Sequence, residues 1–136
     1  MDTNKEILEK FYKKALTVNA GGNPADVLGE ILSDDFVSNG SVETKTKEQL
    51  IGQVGFFWKL IPDLAWEPQE MLHEGNRSVV RSIASGTPNG DFMGTPTDGT
   101  KSFKIMTIDM HTIVNGKVAS VHHLEDWGTA MKQLKS

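Results

Sequence analysis

The most informative segment of the sequence is residues 101–127, KSFKIMTIDMHTIVNGKVASVHHLEDW. On both sides of Asn115-Gly116, apolar residues alternate with polar or charged ones, as in two antiparallel strands joined by a tight turn. An Asn-Gly pair favours a two-residue type I′ turn, because both central positions of that turn need a positive φ. We therefore predict strands over residues 101–114 and 117–125, with Val114 opposite Lys117.

The register of this hairpin follows by counting residue pairs outward from the turn. It places Ile113 opposite Val118, His111 opposite Ser120 and Asp109 opposite His122. One face of the hairpin then carries two carboxylates and two imidazoles, namely Asp109, His111, His122 and Asp126. The other face carries the apolar side chains of Met106, Ile108, Met110 and Val121. A β-bulge in either strand would change this assignment of faces.

The polar face of the hairpin is a candidate for acid–base chemistry. A carboxylate beside an imidazole, in a cavity of low polarity, has its proton affinity tuned toward neutral pH and can take a proton from a carbon acid. On this interpretation the polar face lines a pocket. The alternative is that the polar face is solvated and the apolar face is the core, which ordinary alternation predicts equally well.

The first third of the chain has helical periodicity. Thr3 with Glu6 forms a capping-box pattern before an amphipathic helix that ends before Gly21. Asn23-Pro24 opens a second helix. Thr46 with Gln49 opens a third helix, which Pro62 stops.

The remainder of the chain changes to a period of two. We predict strands near residues 64–74 and 77–87, an extended segment DFVSNG before the third helix, a long loop over 88–100, and a last short helix near 128–135. Helices followed by a meander of strands predict an α+β domain, with the helices on one side of a curved antiparallel sheet. We take the whole chain, residues 1–136, as one domain.

The composition excludes several classes of function. The 136 residues include 14 Lys and Arg, 18 Asp and Glu and no Cys, for a net charge of −4. Acidity argues against nucleic acid and anionic membranes as partners, and the lack of Cys excludes disulfides and thiolate chemistry. No apolar run approaches a membrane span, and the start lacks a signal-peptide pattern, so we expect a cytoplasmic protein.

Other candidate residues are less specific. His122 and His123 are adjacent and point to opposite faces of a strand, so we predict no metal site. Arg81 lies within the apolar run VVRSIA and either pairs with a buried acid or extends to the sheet edge. The aromatic residues, among them Trp58, Trp66, Phe92 and Phe103, are expected to line the core or the cavity.

Three further segments carry a resemblance to a known family. They are FFWKLIPDL, HEGNRSVVRSIASGTPNGDFMGTPTDGTK and IDMHTIVNGKVASVHHLEDW, which together with the helices cover nearly the whole chain. The sequence resembles the SnoaL-like polyketide cyclase and ester cyclase group of the nuclear transport factor 2-like (cystatin-like) superfamily. The resemblance implies a cone-shaped α+β fold, a dimer, and no metal or organic cofactor. Because the apolar Met and Ile face would be costly to leave in water, we expect a homodimer formed through the sheet.

The same resemblance implies roles for individual residues. The positions matching the family's acid–base Asp and its assisting His are Asp126 and His111, with His122 and Asp109 orienting them. Tyr12 and Asn39 match polar groups that line the cavity. The expected activity is an aldol-type cyclisation or isomerisation of a small carbonyl compound, with substrate contacts from Tyr12, Asn39, Trp58, Trp66, Arg81, Phe92 and Phe103.

Two alternatives remain open at the sequence level. The domain could bind a small molecule, or dimerise, without catalysis, because the superfamily's fold does not establish a function. It could also carry out epoxide hydrolysis or dehydration, which would need Arg81 beside Asp109.

Overall fold

The first helix is regular for seven residues and then widens. The computed structural model describes residues 3–136. Thr3 caps α1 (Asn4–Lys10) through the predicted capping box with Glu6. The helix continues as a π-helical turn over Phe11–Ala15. Such turns are rare in helices and often occur at functional sites. Here the turn carries Tyr12 into the protein interior, where its side chain has no exposed surface.

The next two helices begin at their predicted caps. Asn23 caps α2 (Pro24–Ile31), whose first residue is Pro24. Thr46 caps α3 (Lys47–Leu60) through a capping box. Within residues 3–136, no helix combines the length and the apolar character needed to cross a bilayer.

The strands form one large sheet and one small hairpin. Their bounds are β1 (Leu32–Asn39), β2 (Thr44–Thr46), β3 (Ala65–Glu74), β4 (Arg77–Gly86), β5 (Asn89–Phe92), β6 (Thr95–Asp98), β7 (Phe103–Val114) and β8 (Lys117–Glu125), followed by α4 (Trp127–Lys135). The order in the large sheet is β2-β1-β8-β7-β4-β3. β1 runs parallel to β8, so the sheet is mixed. The prediction of a wholly antiparallel sheet is wrong. The α+β class is confirmed.

The segment predicted as a long loop contains the hairpin of β5 and β6. It turns at Met93 and Gly94, both of which have positive φ. The Gly and Pro residues that indicated a loop are therefore the turn residues of this hairpin. Phe92, directly before the turn, is fully buried, whereas Met93 within the turn is 55% exposed.

The hairpin of β7 and β8 follows the predicted register for two pairs only. Asn115 and Gly116 have the positive φ of a type I′ turn. Val114 lies opposite Lys117 and Ile113 opposite Val118, as predicted. Thr112 then pairs with Ser120, because Ala119 is an extra residue in β8. The result is a β-bulge, which shifts every later pair by one residue.

The bulge changes which side chains of β8 face inward. His111 pairs with Val121, and Asp109 pairs with His123. The predicted pairings of His111 with Ser120 and of Asp109 with His122 are therefore wrong. Val121 is 3% exposed, so its predicted place on the outer face is wrong as well.

The two faces of the sheet have opposite character along β7. Alternate residues from Phe103 to Ile113 are buried against the helices, and Asp109 and His111 are among them. The residues between them, including Met106, Ile108 and Met110, are exposed on the outer face. The polar residues of β7 thus face inward, and the alternative in which the Met and Ile face forms the core is wrong.

Candidate active site

Three polar side chains meet in the interior between the first helix and β7. The Tyr12 Oη atom lies 2.6 Å from Asp109 Oδ2 and 2.8 Å from His111 Nε2. All three residues are buried, with exposed fractions of 0%, 4% and 0% for Tyr12, Asp109 and His111. Buried polar groups are stable when they satisfy one another, so this cluster is a fixed element of the fold.

Asp109 has the proton affinity expected of an acid–base group. Burial, with a smaller effect of Glu125, raises its pKa to about 7, against the opposing effects of the Tyr12 hydrogen bond and of His123. Its Oδ2 atom accepts from Tyr12, whereas Oδ1 has no hydrogen-bond partner within residues 3–136 and is not sealed from solvent. Asp109 also lines the cavity described below. One oxygen is thus held by the protein and the other is available to a ligand.

Tyr12 and His111 both stay neutral. Burial and the adjacent Asp109 raise the pKa of Tyr12 well above its ordinary value. Burial lowers the pKa of His111 to about 3. His111 therefore does not act as a cationic donor near neutral pH.

A second acid–imidazole pair lies on the inner face of β8. His123 Nδ1 is 2.7 Å from Glu125 Oε2, and the Trp127 Nε1–H donates to Glu125 Oε1 at 3.2 Å. The bond to Glu125 raises the pKa of His123, and this effect exceeds that of partial burial, which lowers it. Nε2 of His123 has no protein partner in the described chain and remains open. This ring is the better candidate for a donor to a developing oxyanion.

Asp109 and the pair of His123 and Glu125 face a cavity of about 320 Å³ between the helices and the inner face of the sheet. Asp109, His123, Glu125, Ser38 and Gln53 supply its polar groups. The rest of the lining is apolar or aromatic: Phe11, Leu16, Leu50, Val54, Phe56, Phe57, Trp66, Met93, Val121 and Trp127. An apolar cavity with a few convergent polar groups is typical of a small-molecule site.

Of the four predicted catalytic residues, only Asp109 belongs to the cavity lining. His111 lies behind Tyr12, and the bulge at Ala119 turns His122 and Asp126 outward. Asp126 is exposed and caps α4 by accepting from the Thr129 N–H at 3.2 Å. The prediction that Asp126 and His122 share the inner face is therefore wrong.

Of the seven predicted substrate contacts, only Trp66 belongs to the cavity lining. Its Nε1–H donates to Thr107 Oγ1 at 3.0 Å, which fixes the ring. Tyr12 lies behind Asp109 instead of at the surface of the cavity. The Asn39 side chain donates to the Val121 carbonyl, and the Trp58 Nε1–H donates to the Ala15 carbonyl.

Arg81, Phe92 and Phe103 are also outside the lining. Arg81 lies opposite Ile108 and its Nε–H donates to Glu70 Oε1 at 2.8 Å, in a pair that is partly exposed. The requirement of the hydrolase alternative, Arg81 beside Asp109, is therefore not met. Phe92 and Phe103 are buried in the core and stack on each other with ring centroids 5.7 Å apart.

Sequence reasoning missed His123, Glu125 and Gln53. His123 and Glu125 lie one residue from the predicted His122 and Asp126, and the signal that separates them is the bulge. Gln53 is on α3, where no sequence pattern related it to β8. Within residues 3–136, no group of three His, Asp or Glu side chains is arranged to hold a metal ion.

The fold and the site define a class of protein: an α+β domain whose curved sheet and helices enclose an apolar cavity with a buried carboxylate. The family model for SnoaL-like polyketide cyclases matches residues 7–134. The chain therefore belongs to the SnoaL-like polyketide cyclase family. No curated protein matched the chain by sequence.

Solved structures share this fold at low sequence identity. A "Putative SnoaL-like polyketide cyclase" from Jannaschia sp. CCS1 has a TM-score of 0.85 and 21% identity over 98% of this chain and 92% of that one. IdmH, a "putative polyketide cyclase" from Streptomyces antibioticus, has a TM-score of 0.83 and 21% identity over 99% and 100%. A hypothetical protein with a ketosteroid isomerase-like fold from Catenulispora acidiphila has a TM-score of 0.78 and 15% identity over 98% and 95%.

Proposed function

We propose that the protein is a cofactor-independent acid–base enzyme that cyclises or isomerises a small carbonyl compound in the cavity beside Asp109. The observation that carries this proposal is the asymmetry of the Asp109 carboxyl group. Oδ2 is held by Tyr12, while Oδ1 is unpaired beside an apolar cavity. A carboxyl group with a pKa of about 7 can both take and return a proton at neutral pH.

The reaction begins when the Asp109 carboxylate takes a proton from a carbon next to a carbonyl group. The C–H electron pair moves into the carbonyl group and forms an enolate. Protonated His123 donates a hydrogen bond from Nε2 to the enolate oxygen, which stabilises the new negative charge. Glu125 favours the protonated form of His123, because the bond to Nδ1 raises the His123 pKa.

Two outcomes balance from this enolate. In an aldol-type closure, the enolate carbon attacks a second carbonyl group of the same molecule, and the resulting alkoxide takes the proton back from Asp109. In an isomerisation, Asp109 returns the proton to a different carbon. In both cases Asp109 ends ionised, and no other reactant is consumed.

The lining indicates the class of substrate. Aromatic side chains such as Phe57, Trp66 and Trp127 surround the polar groups, which favours a planar or ring-containing apolar molecule. Asp109 and Glu125 are both acidic, so a ligand with a carboxylate in this position would be repelled. We therefore expect a neutral ketone or ester.

The test is deuterium exchange into 2-tetralone, a bicyclic neutral ketone with an acidic C–H bond, followed by NMR in D2O. The protein should accelerate exchange, and Asp109→Asn should abolish the acceleration. Asp126→Asn is the matched control, since Asn also caps helices and that side chain faces away from the cavity. Acceleration that survives in Asp109→Asn would refute Asp109 as the base, and binding of the ketone without accelerated exchange would favour the non-catalytic binding module and refute the proposal.

A further inference from the structure

We propose that His111 is a positioning residue whose Nε2–H holds the Tyr12 hydroxyl as a donor to Asp109 Oδ2, so that protons enter and leave Asp109 only at Oδ1. This inference rests on the proposed function, because it describes how the same carboxyl group exchanges its proton. It assigns to His111 a role without any contact to the ligand.

The argument starts from the number of protons in the cluster. Tyr12 has one hydroxyl proton, and its oxygen lies within hydrogen-bond distance of both Asp109 Oδ2 and His111 Nε2. An ionised carboxylate only accepts, so the Tyr12 proton is directed to Asp109. The bond between Tyr12 and His111 then requires a proton on Nε2. His111 is therefore the Nε2–H tautomer.

The other nitrogen of His111 supports this orientation. Nδ1 is buried and has no hydrogen-bond partner within residues 3–136. In the Nε2–H tautomer, Nδ1 carries no proton and is an acceptor without a donor. In the Nδ1–H tautomer, it would be a donor without an acceptor. Buried donors without a partner are rarer than unsatisfied acceptors. Reversing the Tyr12 hydroxyl therefore requires an unfavourable tautomer of His111.

Packing prevents His111 from moving to find another partner. Its ring makes edge contacts with Phe11 and Tyr12, with centroids 5.3 and 5.8 Å apart. The π-helical turn places both aromatic residues on the buried side. His111 also remains neutral, because burial lowers its pKa to about 3. The hydrogen-bond direction is thus the same throughout the pH range in which Asp109 titrates.

The surroundings of Asp109 leave few other groups that could fix its pKa. Tyr12 faces it from the π-helical turn, His111 from its own strand, and His123 and Glu125 from β8. On the other neighbouring strand, β4, the residue opposite Asp109 is Val80. A change at His111 should therefore reach Asp109 through Tyr12.

The first test needs only the wild-type protein. Nitrogen-15 NMR of the histidine rings identifies which nitrogen of His111 carries the proton. We expect the Nε2–H tautomer between pH 5 and pH 8. The Nδ1–H tautomer, or a charged ring in this range, would overturn the inference.

The second test follows the carbon-13 signal of the Asp109 carboxyl group through a pH titration. His111→Leu removes the donor and should raise the Asp109 pKa by roughly half to one pH unit, because the Tyr12 hydrogen bond to the carboxylate weakens. His111→Gln keeps an N–H at the position of Nε2 and should restore a near wild-type titration. Tyr12→Phe removes the whole bond and should raise the pKa further.

The outcomes separate this inference from the proposed function. An unchanged titration in both His111→Leu and Tyr12→Phe, or no rescue by His111→Gln, would contradict the positioning role even if 2-tetralone exchange is normal. If His111→Leu does not fold, Tyr12→Phe and the tautomer measurement decide. If the titrations follow these predictions but the protein does not accelerate ketone exchange, the proposed enzymatic function is refuted and the positioning role of His111 still holds.

Discussion

Replacing Asp109 with Asn should stabilise the protein at alkaline pH while it removes activity. Asp109 has a pKa of about 7 in the folded protein, compared with its ordinary value of 3.8 in an unfolded chain. Between these values the folded state holds a proton that the unfolded state has released, so stability falls as pH rises. The separation of about three pH units corresponds to at most about 4 kcal/mol of destabilisation above pH 7.

His111 has the opposite effect on the pH dependence of stability and partly masks the contribution of Asp109 in the wild-type protein. Its pKa is about 3 in the folded state, against an ordinary value of 6.5. From about pH 3 to pH 6.5 the unfolded state binds the extra proton, so His111 makes stability rise with pH. The two slopes overlap and partly cancel, and the wild-type profile alone is not informative. The difference between Asp109→Asn and wild type isolates the Asp109 contribution.

The assay is urea unfolding of wild type and Asp109→Asn between pH 5 and pH 8.5. The free energy of unfolding of the variant, relative to wild type, should increase by about 3 kcal/mol across this range. Asp126→Asn should show no such change, because its side chain is exposed in both states. A constant difference, or one that decreases with pH, would refute the raised pKa and with it the choice of Asp109 as the acid–base group.

Three further changes test other parts of the structure. Glu125→Gln removes the partner of His123 and should lower the His123 pKa toward its ordinary value, as measured by proton NMR titration; an unchanged pKa would show that the pair does not form. Ile108→Lys places a charge on the exposed apolar face of the sheet and should convert the proposed homodimer into a monomer in light scattering, whereas a wild-type monomer at micromolar concentration would refute that dimer. Gly86→Ala places a Cβ atom 2.3 Å from Ile61 Cγ2 and should destabilise the protein by about 1–3 kcal/mol in urea unfolding, and wild-type stability would contradict the close packing at this point.

The elements whose ends depend on local chemistry were predictable from the sequence. The caps at Thr3, Asn23 and Thr46 and the turn at Asn115-Gly116 act through hydrogen bonds and dihedral preferences of a few neighbouring residues. The inward direction of Asp109 and His111 was also predicted, although the polar and apolar faces could not be told apart until the helices were seen to cover one of them.

The features that were not predictable depend on contacts between distant segments. The parallel pairing of β1 with β8 joins residues about 80 positions apart, as between Asn39 and His122. The hydrogen bond between Tyr12 and Asp109 depends on a π-helical turn that no local pattern indicated. The sequence could not tell whether Arg81 pairs with a buried acid or extends to the sheet edge, because that depends on its partner. The partner is the partly exposed Glu70.

The bulge at Ala119 allows β8 to satisfy two pairing registers that differ by one residue, one near the turn and one farther along the strand. The Asn-Gly turn fixes the first two pairs, whereas burial of Val121 beside His111 fixes the later ones. If burial determines the second part, deleting Ala119 should give a regular hairpin in which the later pairs, including Asp109 with His123, are unchanged. Without the bulge, Val118, Val121 and His123 still alternate onto the inner face.

This deletion therefore tests whether the site needs the bulge itself, because without Ala119 the turn and the burial of Val121 specify the same pairs. Nuclear Overhauser contacts between β7 and β8, together with the Asp109 titration, should match those of the chain that contains Ala119. Contacts of Asp109 with His122 instead, or a return of the Asp109 pKa to the range of an exposed carboxyl group, would show that the inner face of β8 requires the extra residue. In that case the site would depend on the bulge itself, and the choice of His123 and Glu125 over His122 and Asp126 would rest on one extra residue.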